Sequence, residues 1–226
     1  MKVISYSLWS DIPMYTVGAL RNAEMAKELY PGWECWFYTG ESTPKEILTE
    51  LETHSNVRVI RMEDPGDWTG MFWRFYPASD EEVELMISRD TDSRLTRRER
   101  EAVKLWENSK DTFHIMRDHP YHTTPILGGM WGAKQGAVPK MKEMCEQYTK
   151  ENAWQVDQNF LRDVVYPLVY ATSMVHDPFF EGKPFPTLRE GTEFVGQAFT
   201  EKDEILHPEH GDMIAQAKLR VKEPLL

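Results

Sequence analysis

Asp90-Thr91-Asp92 is the strongest chemical signal in this chain. It follows Val83-Glu84-Leu85-Met86-Ile87-Ser88, whose alternation and β-branched residues predict a strand. A kink at the end of such a strand turns both carboxylates into one cleft. Paired oxygens of this kind suit a hard divalent cation that also takes phosphate oxygens and water. The alternative is a turn in which Asp90 or Asp92 caps backbone amides.

Neighbouring residues narrow the chemistry. An aspartyl nucleophile loop of the haloacid-dehalogenase type wants threonine or valine where Arg94 stands, and follows the first strand instead of the fourth. A calcium loop of the EF-hand type wants an oxygen ligand at Arg94 and glycine at Leu95. The glycine-rich phosphate loops of NTPases and dinucleotide-binding proteins follow none of the predicted strands.

The elements that must position these groups alternate. Strands are predicted at 2–7, 34–38, 56–61 and 83–88, with helices at 16–29 and from Thr43 to about His54. Thr43-Pro44-Lys45-Glu46 reads as a capping box with proline at the first helical position. Parallel strands joined by helical crossovers imply an α/β sheet covered on both faces, with ligands outside the carboxyl ends of the strands. That directs attention to 7–11 and 89–94. Thr96-Arg97-Arg98-Glu99 is a second capping box, with its arginines expected in a solvated first turn. A strand at 113–117, a long glycine- and proline-rich loop at 118–139 and helices at 140–150 and 157–166 follow. The stretch from Ala171 onward is expected to wrap the domain.

This succession resembles a glycosyltransferase of the GT-A fold. The likeness rests on the strand–helix–strand half, on Arg74 within Phe72-Trp73-Arg74-Phe75-Tyr76, and on the strand entering Arg89-Asp90-Thr91-Asp92-Ser93. It also resembles the small transferase domains of bacteria and large algal viruses, through Tyr30-Pro31-Gly32-Trp33 and Gly128-Gly129-Met130-Trp131-Gly132. The resemblance implies a mixed, mostly parallel central sheet flanked by helices, Mn²⁺ or Mg²⁺ as cofactor, and a nucleotide-sugar donor, UDP-linked by expectation. Trp154-Gln155-Val156-Asp157-Gln158-Asn159-Phe160-Leu161 is similar to the Asp-Gln segment of bacterial galactosyltransferase-type enzymes, where the aspartate faces the reacting sugar. His176 with Gly182-Lys183-Pro184 resembles their late His…Gly…Lys-Pro element, which supplies a third metal ligand and a diphosphate-binding lysine.

On that basis Asp90, Asp92 and His176 are the expected metal ligands, and Asp157 the catalytic carboxylate. Ser7, Leu8, Tyr15, Arg74, Asp90 and Lys183 are the expected donor-binding residues. Each keeps a structural alternative. Asp157 is also a good N-cap, His176 could bond its neighbour in a loop, and Arg74 could stack on Trp73 or Tyr76. His114, His119 and His122 form a cluster for which structural or acceptor-side roles are expected ahead of a second metal site. Gly128 to Gly132 offers close backbone approach and one flat ring, Trp131, to an acceptor sugar.

The chain of 226 residues is expected to form one domain, with a nucleotide-binding half at 1–95, an acceptor half at 96–200 and a C-terminal wrap at 201–226. A net charge of −11 opposes nucleic acid or an anionic membrane as main partner. No apolar run approaches the ~20 residues of a membrane span, and residues 1–9 do not read as a signal peptide, so a cytoplasmic protein is expected. Cys35 and Cys145 have no metal-ligand spacing and are expected as reduced, buried thiols. A glycan or other hydroxyl acceptor completes the expected reaction. The other readings carried are a catalytically silent sugar-nucleotide or glycan-binding domain and a metal-dependent phosphohydrolase.

Overall fold

The computed structural model describes residues 1–148 and 155–217. Trp154, positions 149–150 of one expected helix and 218–226 of the expected wrap lie outside the described residues.

Seven strands form one sheet: β1 (Lys2–Leu8), β2 (Glu34–Thr39), β3 (Val57–Arg61), β4 (Leu85–Ser88), β5 (Phe113–Met116), β6 (Trp131–Lys134) and β7 (Ser173–His176). Their order is β3-β2-β1-β4-β6-β5-β7, and β6 runs antiparallel to both neighbours while the remaining pairs are parallel. The sheet is thus mixed and mostly parallel, flanked by helices as the sequence implies. Side chains of β1 are buried almost continuously, as a parallel strand covered on both faces requires. Val3, Trp36, Tyr38 and Met86 point into one apolar cluster with Phe72, Phe75, Trp131 and Phe160. Ile4, Tyr6, Leu8, Cys35, Phe37 and Ile87 point into the other with Ala19, Ala23, Ala26 and Trp106.

Helix α1 (Pro13–Leu29) begins three residues earlier than expected, with Pro13 in its first turn, where a missing N–H costs nothing. Its buried side is made of small residues, Gly18, Ala19, Asn22, Ala23 and Ala26, which lets the helix approach the sheet closely. Helix α2 (Lys45–Glu52) lacks the expected side-chain cap. The Thr43 hydroxyl instead donates to the Leu8 carbonyl at 3.1 Å and ties α2 to the end of β1. Of the second box only the threonine half forms: Thr96 Oγ accepts the Glu99 N–H at 3.1 Å at the start of α3 (Arg97–Glu107), while the Glu99 carboxylate takes Tyr30 and Arg89 instead. Arg98 departs from expectation: it is buried and donates to both Asp118 oxygens, at 2.9 and 3.1 Å.

The aromatic segment is a 3₁₀ helix, Trp68–Ser79. Strands β6 and β7 fall inside stretches read as irregular, because each has four residues and glycine or proline neighbours mask the alternation. Gly132 is required where it stands, since a Cβ there would lie 2.8 Å from the Met86 carbonyl of β4. Helix α4 (Met141–Gln147) follows, then α5 (Val156–Phe160), one π turn (Leu161–Val165), α6 (Tyr166–Val169) and finally α7 (Pro208–Gln216). Both cysteines are buried, and burial pushes the Cys35 thiol up to about 12.

Candidate active site

The carboxyl ends of β1 and β4 open onto a cleft of about 610 Å³. Ser7, Leu8 and Tyr15 line it from one side, Arg74 from the 3₁₀ helix, and Asp90, Thr91 and Asp92 from the loop after β4. Gly128, Met130 and Asp157 face them. Residues far apart in the chain, from Ser7 to Asp157, thus converge on one space.

Local packing explains how the Asp90–Asp92 loop is held. Asn22 of α1 donates to the Ser93 carbonyl at 2.8 Å and accepts the Leu95 N–H at 3.1 Å. Ser93 Oγ closes the turn by donating to the Asp90 carbonyl at 2.9 Å. From the other side Phe199 N–H donates to the Asp92 carbonyl at 2.8 Å. Behind the loop Arg89 is fully buried, with Nε 2.6 Å from Glu99 Oε1 and Nη1 donating to the Ser88 and Trp131 carbonyls. Held by Glu99 and by these two carbonyls, Arg89 fixes the backbone between the end of β4 and Asp90.

Arg74 joins the two sides of the cleft. Its Nη1 pairs with Asp90 and its Nη2 lies 2.9 Å from Asp157 Oδ2, while its backbone N–H donates to Ser7 Oγ at 3.0 Å. Stacking on Trp73 or Tyr76 is not what holds it. Two glycines make room: a Cβ on Gly128 would lie 2.4 Å from Arg74 Nη2, and one on Gly129 would lie 2.0 Å from Asp90 Oδ2.

Burial first, and Asp90 second, push the Asp92 carboxyl up to about 6. The Asp157 carboxyl is also raised by burial, against the lowering effect of Arg74. Tyr15 is raised by burial and by Asp92 and Asp90. Carboxylates that disfavour one another call for a cation. Arg74 supplies one positive charge, but shared with Asp157 it neutralises the cluster only in part.

These oxygens fit a hard divalent ion, with Asp90 and Asp92 as protein ligands and the remaining positions open to phosphate oxygens and water. His176 is not brought to them. It ends β7, buried, with Nδ1 2.8 Å from His114 Nε2 and its ring against Phe185, because the β5–β7 pairing places it over the sheet instead of in the cleft. Lys183 is also elsewhere: it closes a hairpin with Asp177, and its Nζ lies 2.7 Å from Glu181. Trp131 corrects a third expectation, being fully buried and stacked on Phe113 at 5.2 Å, a core ring unavailable to a sugar. Among the described residues, the one three-ligand grouping of His, Cys, Asp and Glu is His207, Glu209 and His210, on the surface at the start of α7.

Sequence reasoning missed Trp9 and Trp68, which give the cleft its aromatic wall. Trp9 packs edge-on to Trp73 at 6.2 Å, and Gly66 lies beneath it, where a Cβ would be 2.3 Å from the Trp9 Cβ. Their signal was present as tryptophans just after one strand and at the start of Arg74's helix. Gly196 and Ala198, from the C-terminal stretch, also line the cleft. A larger depression of about 1370 Å³ carries Arg21, Arg94, Arg98 and Arg189, but Asp203 and Asp118 already hold these cations.

No protein-family model and no curated protein sequence matches the chain. Solved structures do. The galactosyltransferase LgtC, in complex with donor and acceptor sugar analogs, superposes with a TM-score of 0.54 at 10% identity over 96% of each chain. A glycosyltransferase involved in the glycosylation of the major capsid of PBCV-1 gives 0.50 at 14% identity, over 78% of this chain and 81% of its own. Residues 1–349 of S. aureus TarS, also solved in complex with UDP, give 0.53 at 14% identity, over 81% of this chain and 58% of that one. Sheet order, flanking helices and these superpositions together establish that the chain has the GT-A fold of glycosyltransferases.

Proposed function

We propose that the protein is a divalent-metal-dependent glycosyltransferase that moves a sugar from a UDP-linked donor to a glycan or other hydroxyl acceptor. The carrying observation is the convergence of Asp90, Asp92, Arg74 and Asp157 in one cleft at the carboxyl ends of β1 and β4. The GT-A fold supports it, although a fold alone does not fix an activity. In this reading residues 1–95 form the nucleotide-binding half, 96–200 the acceptor half and 201–226 a wrap, within a single domain.

Roles follow from position. Ser7, Leu8, Tyr15, Trp9 and Trp68 accept the nucleoside, with the rings as stacking surfaces. Asp90 and Asp92 hold Mn²⁺ or Mg²⁺, which when bound supplies Lewis-acid stabilisation of the departing diphosphate. Arg74, paired with Asp90 on the cleft wall, would turn its guanidinium to the phosphates or the donor sugar. Asp157, held by Arg74 on the opposite wall, takes the acceptor proton or supports positive charge on the sugar ring. A second reading, donor binding without transfer, draws on the same contact, because the carboxylate needed for chemistry is already paired.

The test is a panel of nucleotide-sugars with and without Mn²⁺ or Mg²⁺, followed by release of the nucleoside diphosphate. Turnover is expected to need metal, and Asp92→Ala to lower it by roughly 100-fold or more, the several kcal/mol such an ion supplies. Full turnover in chelator would sink the proposal, whereas metal-dependent binding with no release from any donor would favour the silent reading.

A further inference from the structure

His122 also lines the cleft and takes no part in the roles above. Its surroundings fix its chemistry. The backbone N–H of Asp118 donates to His122 Nδ1 at 3.0 Å, and a backbone amide can only donate. Nδ1 is therefore the bare nitrogen, and a neutral ring carries its proton on Nε2.

The donor of that bond is itself immobilised. Asp118 is fully buried, its carboxylate taking Arg98 at 2.9 Å, Arg189 at 2.6 Å and the Val195 N–H at 3.0 Å. Phe194 packs on the ring at 5.8 Å between centroids, and the His122 backbone N–H is bonded to the His119 carbonyl at 2.9 Å. The charged and titratable groups around the ring are His119, His210, Arg189 and Arg117. Burial and these neighbours push the His122 imidazole down to about 3, so it stays neutral near pH 7. His119 is similarly committed, accepting the Tyr121 N–H at 3.0 Å and placing Nε2 3.0 Å from the His210 carbonyl.

We propose that His122 is a specificity-determining residue that presents a neutral Nε2–H donor to a sugar hydroxyl bound in the cleft. A phosphate would favour a cation at this position, whereas a neutral, oriented donor matches an uncharged hydroxyl acceptor. Its place agrees. The aromatic wall of Trp9, Tyr15 and Trp68 marks the nucleoside end, while His122 comes from the loop that carries Leu127, Gly128 and Met130. Gly196, one of the glycines with positive φ (85°), brings the C-terminal stretch onto that loop, where a Cβ would meet Met130 Sδ at 2.7 Å. The hydroxyl belongs either to the donor sugar or to the acceptor. The inference rests on the glycosyltransferase reading for its ligand, but the state of the ring does not.

Histidine side-chain ¹⁵N spectra of the wild type and of His122→Phe identify the ring and read its tautomer between pH 5.5 and 8. Nε2–H throughout is expected, and an Nδ1–H or charged ring overturns the proposal. Calorimetry then compares UDP with UDP-glucose, UDP-galactose and UDP-N-acetylglucosamine in Mn²⁺. Saturation-transfer NMR follows free glucose, galactose and N-acetylglucosamine on the UDP–Mn²⁺ complex. His122→Phe is expected to leave UDP affinity within about 2-fold and to weaken at least one sugar by about 3- to 10-fold, the range of one hydrogen bond. His122→Gln, which keeps a donor near Nε2, is expected to recover most of it. Loss in the UDP-sugar arm assigns the hydroxyl to the donor, and loss in the monosaccharide arm assigns it to the acceptor. Sugar affinities unchanged in both arms, or absent in the wild type, overturn the inference. A wild type that ignores UDP–Mn²⁺ sinks the glycosyltransferase reading, and the tautomer with the monosaccharide arm, run without nucleotide, still decides this one.

Discussion

Asp92 shows how a carboxylate turned into a cleft works against the fold. Its carboxyl titrates at about 6, above the ordinary 3.8, so the native state holds the proton more tightly than the unfolded chain. The stability this provides is complete below about pH 4 and is lost as pH rises through 6. Asp92→Asn removes the charge and keeps the shape. We expect it to stabilise the protein at pH 7 by on the order of 1–3 kcal/mol, with little difference near pH 3, as thermal melting at the two pH values would show. The same variant should lose Mn²⁺-dependent nucleotide binding. A destabilised Asp92→Asn would mean that the carboxylate is compensated in the native state. Asp90 and Asp92 were legible in sequence because a strand end is a local pattern, and Arg74 through the resemblance that its aromatic segment carries. His176 and Lys183 were misplaced because their partners, His114 and Glu181, depend on a β5–β7 pairing and a hairpin that no local pattern announces.

At the scale of elements, the site depends on how closely α1 approaches the loop after β4. A Cβ on Gly18 would lie 2.0 Å from the Thr91 carbonyl and 3.0 Å from Arg94 Nη1. Two effects of Gly18→Ala oppose one another. Helix propensity favours alanine by about 1 kcal/mol, whereas an overpacked contact against backbone costs about 1–3 kcal/mol. Backbone cannot rotate away, so we expect net destabilisation in urea and weaker Mn²⁺ binding, although Gly18 does not line the cleft. A more stable variant with unaltered metal affinity would refute this account of how the loop is held. The early strands, α1 and the Thr96 cap were readable because each repeats a local period or cap. Thr43 carried the same signature and went to the Leu8 carbonyl instead, since the strand end offered its hydroxyl a buried acceptor. Strands β6 and β7 stayed hidden because four residues beside glycine or proline do not show a period of two.

Across the molecule, β4 joins two halves of the sheet, β3-β2-β1 and β6-β5-β7, by pairing with β1 on one side and β6 on the other. The cleft lies over this junction, with walls from Ser7 of β1, Asp90 after β4 and Asp157 of α5. A ligand there touches both halves, so its binding energy acts on the whole sheet instead of on one lobe. The expected consequence is one cooperative thermal transition, reported alike by tryptophan fluorescence and far-ultraviolet circular dichroism. UDP with Mn²⁺ at about 100 times its dissociation constant adds about 2.7 kcal/mol to the native state. For a chain of this size that raises the melting temperature by roughly 5 to 10 °C in both signals together. UDP without metal, or Mn²⁺ with Asp92→Asn, should give little of this shift. Two separable transitions, only one of them moved by UDP–Mn²⁺, would show that the halves unfold independently and that the nucleotide engages one of them alone.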